Sequence, residues 1–430
     1  MGRMSLVLGL DTGGTFTDAA LLDKQSRTVL ATAKALTTRA DLSVGVGKAI
    51  EAVLAEWGGD AAAISRVTLS TTLATNSVVE GVGGRIALVL IGFDMDVLNR
   101  AGLGAAINQD PVLQIAGGHK PDGSEQAVLD ITALTAELKE LDGQVSSFAV
   151  AGHFATRNPV HEKAVRDHLS QTTGLPVTCS HELSNALGGP RRALTTVLNA
   201  RLISLLDRLI KSTSLQIEQL GLNCALMVVK GDGTLLQADY ARTRPVETVL
   251  SGPAASISGA AFLVGEEDFI VSDIGGTTTD IARLRGGVVQ TSADGAIVGG
   301  WRTNVEAAHI RTFGLGGDSV VSVNSRDLKG GICLGPRRAI PLSLLSTQQP
   351  QIKEILRQQT EQAIAQGTDG RFVLAMVQGE AVPKWLTRSE TKLLYQLKEV
   401  GVAALADIAT TQVALGAVDR LITRGLVIMS

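Results

Sequence analysis

One short pattern occurs twice in the chain, and this repeat constrains the fold more than any other feature. Residues 9–23 read GLDTGGTFTDAALLD and residues 271–285 read VSDIGGTTTDIARLR, with Asp, Gly, Gly, Thr, Thr and Asp at equivalent places. Each copy predicts a strand that ends in Asp, a Gly-Gly turn and a second strand with alternating polar and apolar residues. Because an internal repeat indicates a duplicated architecture, we expect each hairpin to open its own lobe.

The glycines of both hairpins predict a phosphate site. Backbone N–H groups can converge on phosphate oxygens where no side chain blocks the approach, and threonine hydroxyls can add further donors. A single Asp-x-Gly-Gly-Thr motif is usually only a tight hairpin, but two copies in register favour nucleotide binding. The predicted nucleotide-binding residues of the hairpins are Thr12, Gly13, Gly14, Thr15, Phe16, Gly275, Gly276, Thr277 and Thr278.

Asp11 and Asp273 stand where the two first strands end. Mg²⁺ prefers oxygen ligands and keeps several of its waters, so these carboxylates are the predicted metal-binding and catalytic residues. Asp18 and Asp280 lie on the outgoing strands, where we expect them to hold the turns by hydrogen bonds. The predicted cofactors are therefore ATP and Mg²⁺.

A third glycine-rich segment, residues 312–319, reads TFGLGGDS. Gly314, Gly316 and Gly317 would let its backbone pack against adenine or ribose. Such loops are common, so this segment is a weaker signal than the hairpins.

At 430 residues the chain is longer than one hydrophobic core usually organises. Strand-like runs such as residues 86–91 and 145–151 alternate with helical patterns, which indicates an α/β fold. The paired hairpins resemble those of actin-like ATPases, and this resemblance implies a two-lobed fold built from duplicated ribonuclease H-like domains. Its predicted parts are a first lobe (1–190), a second lobe (191–345), a connection (346–385) and a helical, winged-helix-like module (386–430).

Composition narrows the classes of partner. The formal net charge of −3 gives no footprint for nucleic acid or an anionic membrane surface. The three cysteines are far apart, which argues against a disulfide framework or structural zinc, and no apolar run approaches the length of a membrane span. We expect a cytoplasmic protein that acts on a small molecule and binds neither nucleic acid nor membrane.

Four segments in order carry a resemblance to a known family. They are residues 9–18 (GLDTGGTFTD), 70–76 (STTLATN), 158–162 (NPVHE) and 250–255 (LSGPAA). Together they resemble the hydantoinase A/oxoprolinase family of the actin-like ATPase superfamily over about residues 7–340. Ser70 replaces a usual glycine, Asp318 interrupts a Gly-Gly-Gly-Ser, and the sequence after Gly335-Pro336 departs from the family pattern.

The resemblance implies an ATP-dependent hydrolase that phosphorylates the carbonyl oxygen of a small cyclic amide, such as a hydantoin or 5-oxoproline, and so opens the ring. Many family enzymes require a companion B-type subunit, and either such a subunit or a homo-oligomer is open here. Two rivals remain: a small-molecule kinase of the same fold, and an ATP-binding regulatory protein whose terminal module binds a partner.

Candidate substrate residues fall in two places. Thr71, Thr72 and Asn76 could present hydroxyl and amide groups to a cyclic amide, although capping a helix is an equal alternative. His161 and Glu162 stand at a predicted helix start, where capping is at least as good an interpretation. The segment at Ser251 lacks a nucleophile elbow and is interpreted as a loop between lobes.

Overall fold

Strands and helices alternate along most of the chain. The computed structural model describes residues 6–13, 16–37, 42–81, 83–141, 143–275, 278–292, 294–317, 319–324, 331–364, 367–375, 386–423 and 426–430. The strands are β1 (Leu6–Thr12), β2 (Phe16–Asp23), β3 (Thr28–Leu36), β4 (Ile64–Thr71), β5 (Ile86–Ile91), β6 (Val112–Ile115), β7 (Ser147–Gly152), β8 (Val177–Cys179), β9 (Ala225–Val229), β10 (Leu235–Gln237), β11 (Phe269–Ile274), β12 (Thr279–Arg285), β13 (Val288–Val289), β14 (Ile297–Val298), β15 (Trp301–Arg302), β16 (Ile310–Phe313), β17 (Ser319–Asn324), β18 (Gly331–Arg338), β19 (Phe372–Ala375), β20 (Val402–Ala404) and β21 (Val427–Met429).

The helices connect these strands, and within the described residues none has the length and apolar character of a membrane span. They are α1 (Leu42–Trp57), α2 (Leu73–Glu80), α3 (Leu103–Ile107), α4 (Ile131–Leu138), α5 (Val160–Thr173), α6 (Ser180–Leu183), α7 (Gly189–Gln219), α8 (Ala238–Thr243), α9 (Ser251–Val264), α10 (Leu342–Gln348), α11 (Ile352–Thr360), α12 (Arg388–Val400), α13 (Leu405–Ile408) and α14 (Gln412–Thr423).

The chain divides into two compact units. The first comprises Met1–Val271 and Ala282–Ile310, and the second comprises Ser272–Ile281 and Arg311–Ser430. These cuts differ from the predicted boundaries at 190, 345 and 385, and the four-part division stays a prediction. The predicted α/β class is confirmed, with mixed sheets.

A six-stranded mixed sheet, in the order β10-β9-β4-β1-β2-β3, contains the first hairpin. β1 runs antiparallel to β2 and parallel to β4. Every second residue of β1 is buried, because side chains of a strand alternate between the two faces of its sheet. This alternation places Asp11 on the face opposite to the buried Thr12.

The second sheet of the first unit has the order β6-β5-β7-β8 and is entirely parallel. All six residues of β5 are buried, as expected for a parallel strand covered on both faces. Its carboxyl-terminal edge is formed by the ends of β5, β6 and β7.

One long helix, α7, packs against both sheets of the first unit. Leu194 and Val197 in its first half belong to the core around β5, while Leu206 and Ile210 in its second half belong to the core around β1. The predicted lobe boundary at residue 190 therefore falls on the first residues of a buried helix.

In the second unit, β19, β20 and β21 form a sheet in the order β20-β19-β21. α12 and α14 pack on it through a core that includes Leu394, Leu421 and Val427. Thr387 and Glu390 form a capping box at the start of α12. β19 belongs to this sheet, although it lies in the segment predicted as a connection.

Two local predictions were wrong. The apolar spacing of residues 36–57 predicts a helix over that whole range, but Leu36 is the last residue of β3 and α1 begins only at Leu42. The segment at Ser251 is the first turn of α9, not a loop. Proline is tolerated in a first helical turn because the N–H groups there have no partner within the helix, so Pro253 does not break α9.

Candidate functional site

The two repeated hairpins have the same backbone geometry where the structure describes them. Gly13 N–H donates to Phe16 O at 3.0 Å, and Gly275 N–H donates to Thr278 O at 2.9 Å. A Cβ at Gly13 would lie 3.2 Å from Phe16 O, and one at Gly275 would lie 3.3 Å from Thr278 O. The repeated sequence motif therefore forms the same turn in both copies. Gly14, Thr15, Gly276 and Thr277 lie outside the described residues.

Asp11 is positioned by pairing on both sides of β1. It lies opposite Asp18 on β2 and opposite Ser70 on β4. Ser70 Oγ donates to Asp11 Oδ1 at 2.6 Å. Ser70 is the residue that departs from the family pattern, and here its hydroxyl fixes the orientation of the carboxylate.

Asp11 lines a cavity of about 730 Å³, called here the first cavity. Strands β1–β3 and α9 contribute its walls, with Asp18, Lys34, Ser70 and Gly252 among the lining residues. A Cβ at Gly252 would lie 3.9 Å from Asp11 Oδ1 and 3.3 Å from Thr72 Cγ2. Glycine at this position therefore keeps space in front of the carboxylate.

The predicted substrate threonines hold the wall of this cavity. Thr71 is fully buried, its Oγ1 donates to Thr12 O at 3.3 Å, and it accepts from Leu73 N–H at 3.0 Å. Ser251 Oγ donates to Thr71 O at 2.9 Å, which ties the start of α9 to the end of β4. The Thr71 hydroxyl therefore accepts from the first N–H group of α2, and its role in substrate binding stays a prediction.

Thr72 and Asn76 lie at the start of α2. Asn76 Nδ2 donates to Thr72 Oγ1 at 3.2 Å, and Asn76 is exposed. Thr72 also lies beside Gly252, as the distance given above shows. The structure thus brings Asp11, Ser70 and Thr72 together.

Two other predicted nucleotide contacts differ in their surroundings. Thr12 is buried, and its Oγ1 has no hydrogen-bond partner among the described residues. Phe16 is 40% exposed and carries the Lys34 ammonium 4.9 Å from its ring centroid. Lys34 also pairs with Asp18 at 3.0 Å, so among the described residues Asp18 bonds to β3.

The third glycine-rich segment bonds directly to the second hairpin. Gly317 N–H donates to Gly275 O at 3.0 Å, and Thr279 Oγ1 donates to Leu315 O at 2.7 Å. Thr312 Oγ1 donates to Asp280 Oδ1 at 2.5 Å. Burial raises the pKa of Asp280, the Thr312 hydrogen bond opposes this, and the charge of Asp273 adds to it. Two predicted nucleotide elements thus meet around Gly275.

Gly314 and Gly316 flank this contact. A Cβ at Gly314 would meet nothing within 4 Å, and Gly316 N–H donates to Ser319 Oγ at 3.0 Å. Asp273 is exposed at the end of β11. The segment therefore has a hydrogen-bonded turn with open space beside Gly314.

His161 and Glu162 lie elsewhere, at the edge of the parallel sheet. Glu162 is fully buried and accepts from Gly152 N–H at 2.6 Å, Ser180 Oγ at 2.5 Å, His181 N–H at 3.0 Å and His181 Nδ1 at 2.5 Å. Gly118 N–H donates to His161 Nδ1 at 3.0 Å, so Nε2 carries the proton that bonds Glu125 at 3.0 Å. Both side chains hold backbone in place.

Glu162, Cys179 and His181 place three potential metal ligands within 4.8 Å of one another. The carboxylate of Glu162 already accepts four hydrogen bonds, which is about its full capacity. Burial raises the pKa of the Cys179 thiol, and the charge of Glu162 adds to this, so the thiolate that metals bind is disfavoured. This cluster is better suited to hold structure than to bind metal.

Sequence analysis missed Gly92, Gly117 and His153, which line a second cavity at the ends of β5, β6 and β7. A signal existed, because Gly92 and His153 follow directly after the buried strands β5 and β7, and Gly117 follows two residues after β6, at the edge of a parallel sheet where ligands usually bind.

Comparisons with known proteins agree with the sequence pattern. The sequence model of the hydantoinase/oxoprolinase N-terminal region matches residues 7–173, and that of hydantoinase/oxoprolinase matches residues 192–340. The acetophenone carboxylase gamma subunit of Aromatoleum aromaticum is 27% identical over 372 positions, covering 77% of this chain and 49% of that protein. The caprolactamase subunit alpha of Pseudomonas jessenii is 28% identical over 363 positions, covering 79% and 51%.

This chain therefore spans about half the length of these two relatives. The crystal structure of ATP-dependent caprolactamase from Pseudomonas jessenii superposes with a TM-score of 0.67 at 23% identity, covering 98% of this chain and 62% of that chain. At this identity the superposition shows a shared fold. The two consecutive family matches confirm the resemblance predicted over residues 7–340, and the chain belongs to the hydantoinase/oxoprolinase family.

Proposed function

We propose that this chain is the ATP-binding part of a hydrolase that phosphorylates and opens a small cyclic amide. The observation that carries the proposal is the repeated Gly N–H bond of the two hairpins, together with the position of Asp11 at the first cavity. A relative of this chain is named ATP-dependent caprolactamase, and that name supports ATP-dependent opening of a cyclic amide as the reaction class. The duplicated actin-like ATPase architecture and a cytoplasmic location belong to the same proposal.

The residues of the first cavity suit a hydrated Mg²⁺ ion. Carboxylate oxygens are its preferred protein ligands, Ser70 orients the carboxylate of Asp11, and Gly252 keeps the space before it open. Asp11 is the residue of this cavity proposed to hold the ion through its waters, and Asp273 is proposed as a metal ligand from the sequence repeat alone. Bound with ATP, Mg²⁺ would neutralise charge that develops on the phosphate oxygens.

In this proposal the protein's own groups position the reactants. The N–H groups of Gly13 and Gly275 close the turns, and the N–H groups that follow them in the two sequence motifs would bind phosphate oxygens. The segment bonded to Gly275 would pack against adenosine. Asp11 would also orient the attacking oxygen of the amide. Phosphoryl transfer depends mainly on such positioning and charge stabilisation.

A companion subunit is part of the proposal. The relatives are named as gamma and alpha subunits, and this chain covers about half of each. The winged-helix-like module offers a surface for such a partner. Its support is the order β20-β19-β21 with α13 and α14 following β20, since a helical pair beside a three-stranded sheet is the plan of that motif.

The test is phosphate release from ATP by the purified full chain, alone and with any co-purifying subunit, across cyclic amides, carboxylates and polyols. We expect a cyclic amide to stimulate release. Asp11→Asn and Asp273→Asn should each reduce Mg²⁺-dependent turnover by about 10²-fold or more, since charge stabilisation by a held metal contributes several kcal/mol. Asp407→Asn, at an exposed position of the second unit, is the matched control.

Full activity in both aspartate variants would refute the metal assignment. A stable phosphorylated polyol or carboxylate would indicate the kinase instead. ATP binding without stimulation by any substrate would leave the regulatory protein as the better interpretation.

A further inference from the structure

The second cavity has a volume of about 640 Å³ and lies at the carboxyl-terminal edge of the parallel sheet. The segments that follow β5, β6 and β7 contribute Phe93, Gly117 and His153 to its lining, and the start of α7 contributes Gly189. Ligands of α/β proteins usually bind at this edge, and small-molecule pockets have volumes of roughly 300–1,000 Å³. Location and size therefore both suit a small ligand.

The backbone around this cavity is built with unusual conformations. Gly92 has φ +72° and Gly117 has φ +141°, and a Cβ at Gly92 would collide with Gly117 O. Phe154, which also lines the cavity, has φ +49°, a conformation that is strained for a bulky residue. Strained residues persist where surrounding structure holds them, and they concentrate at ligand sites.

Three rings form one wall. The centroids of Phe93 and His153 are 5.2 Å apart, and those of His153 and Phe154 are 4.6 Å apart. Burial lowers the pKa of His153, and the positive charge of Arg192 lowers it further, so the imidazole is neutral at neutral pH. Such a wall suits the flat face of an uncharged ring.

Two glutamine side chains give the cavity a matched donor and acceptor. Gln114 Nε2 donates to Phe93 O at 2.5 Å, which leaves its Oε1 as an acceptor for a ligand. His153 Nδ1 bonds Gln126 Oε1 at 2.9 Å, which leaves Gln126 Nε2 as a donor and His153 Nε2 as a second acceptor. The lining thus offers a donor and two acceptors, which complement a ligand that carries both an N–H group and a carbonyl.

The charges at this cavity exclude a phosphorylated ligand. Arg100 lines it, but its guanidinium bonds Asp96 through Nε at 3.1 Å and through a terminal nitrogen at 2.6 Å. Asp94 also lines the cavity and would repel an anion. The lining thus has no surplus positive charge with which to bind phosphate.

Buried charges behind the wall keep it in place. Arg192 donates to Ala186 O at 2.9 Å, Leu187 O at 3.0 Å and Gly152 O at 3.2 Å, while Glu162 accepts from Gly152 N–H. Gly152 precedes His153, and Leu187 lines the cavity. Glu162, predicted as a substrate residue, is therefore a positioning residue for this wall.

We propose that the second cavity binds an uncharged planar heterocycle that carries both an N–H group and a carbonyl, independently of the nucleotide at the first cavity. Two sources share this chemistry, a free nucleobase and a cyclic amide of the kind in the proposed function. The site and its lining are distinct from the hairpin residues on which the ATP proposal depends.

The test uses uracil and hydantoin as probes, with 1,3-dimethyluracil as the matched ligand that lacks N–H donors. Binding to the full chain is measured by calorimetry and by saturation-transfer NMR. Uracil or hydantoin should bind at one site, and the tighter of the two identifies the source. Dimethyluracil should bind uracil's site at least about ten-fold more weakly, because it leaves the acceptors unpaired.

Gln114→Leu and Gln126→Leu should each weaken binding by about ten-fold or more, while Gln144→Leu, an exposed glutamine of another loop, should leave it unchanged. Asp11→Asn should also leave it unchanged. Circular dichroism checks that each variant is folded, and Mg-ATP binding adds a second check for the three glutamine variants. Binding by the Gln114 and Gln126 variants at wild-type strength, or no binding of either probe to the wild type, would overturn the proposal.

Failure of this proposal and failure of the ATP proposal can be told apart. Loss of probe binding with intact ATP turnover removes only the second site. Probe binding that depends on Gln114 and Gln126, in a chain that binds no ATP, leaves the second site standing and removes the proposed function.

Discussion

The first and second cavities of the first unit place their charges in opposite ways. At the first cavity a carboxylate, Asp11, lines the space, and the wall behind it is held by neutral hydroxyls such as Thr71 and Ser251. At the second cavity neutral amides and an imidazole line much of the space, and buried charges, Glu162 and Arg192, hold the wall. Charge at the first cavity is thus available for chemistry, whereas charge at the second stabilises the fold.

This difference predicts how much each kind of substitution will lower the free energy of unfolding. Removing a charge behind the second cavity should cost stability, and removing a hydroxyl behind the first should cost less. Removing a titratable side chain from the lining of the second cavity should change stability least. The three predictions below test that order.

The largest effect is expected for Arg192→Met, because Arg192 is 1% exposed and donates to three backbone oxygens. The substitution would leave three carbonyl oxygens without this donor and would remove the positive charge that acts on the buried Glu162, so the free energy of unfolding should fall by about 3–5 kcal/mol. Urea unfolding followed by tryptophan fluorescence measures this. Arg357→Met is the control, because that side chain is 68% exposed and its pair with Glu354 should contribute under about 1 kcal/mol.

The double variant Arg192→Met/Glu162→Gln sharpens this prediction. If the cost arises from an unpaired buried carboxylate, neutralising Glu162 should recover part of the lost stability. A double variant less stable than Arg192→Met alone would mean that Glu162 acts through its bonds to Gly152, Ser180 and His181 and not through the charge pair.

An intermediate effect is expected for Thr71→Val, which keeps the side-chain shape and removes the hydroxyl. Leu73 N–H would lose its Thr71 acceptor in a partly buried place, and Thr12 O would keep only the Thr72 N–H as a donor from this segment, which together cost about 1–3 kcal/mol. Thr347→Val, an exposed hydroxyl on α10, should change stability by under about 0.5 kcal/mol. Unchanged stability with a raised KM for a cyclic amide would instead restore Thr71 as a substrate residue.

The sequence allowed the hairpins to be predicted because their chemistry is local. Glycine, aspartate and threonine at fixed offsets determine a turn within a few residues, and Gly13 and Gly275 make the predicted turn in both copies. The partner of Asp11 could not be predicted in the same way. Ser70 is brought beside it by parallel pairing of β1 with β4, which depends on packing between distant segments.

The same limit explains the polar residues that were placed at a substrate site. His161 and Glu162 were recognised at the start of a helix, but their partners Gly118, Gly152 and Ser180 lie in other segments of the chain. A helix start predicts that a carboxylate is favoured there, and it contains no information about which side of the helix is buried. Only the packed fold shows that both side chains point into protein.

The smallest effect concerns His153, and its sign follows from the direction of the pKa shift. Burial, and then the charge of Arg192, lower the pKa of His153 below its ordinary value, and Asp94 opposes them weakly. At neutral pH both folded and unfolded states hold the neutral ring. As the pH falls through the ordinary value of about 6.5, the unfolded state binds the proton first, so stability is lost until the lower folded pKa is reached.

His153→Gln removes this proton and should therefore flatten the loss of stability between pH 7.5 and pH 5.5, while His119, whose pKa burial also lowers, keeps a residual slope in both proteins. The unfolding free energies of wild type and variant at the two pH values measure the difference. A variant with the same or a steeper slope would mean that His153 is protonated without cost in the folded protein. The second cavity would then accommodate a positive charge on His153, and the contrast between a neutral second cavity and a charged first cavity would fail.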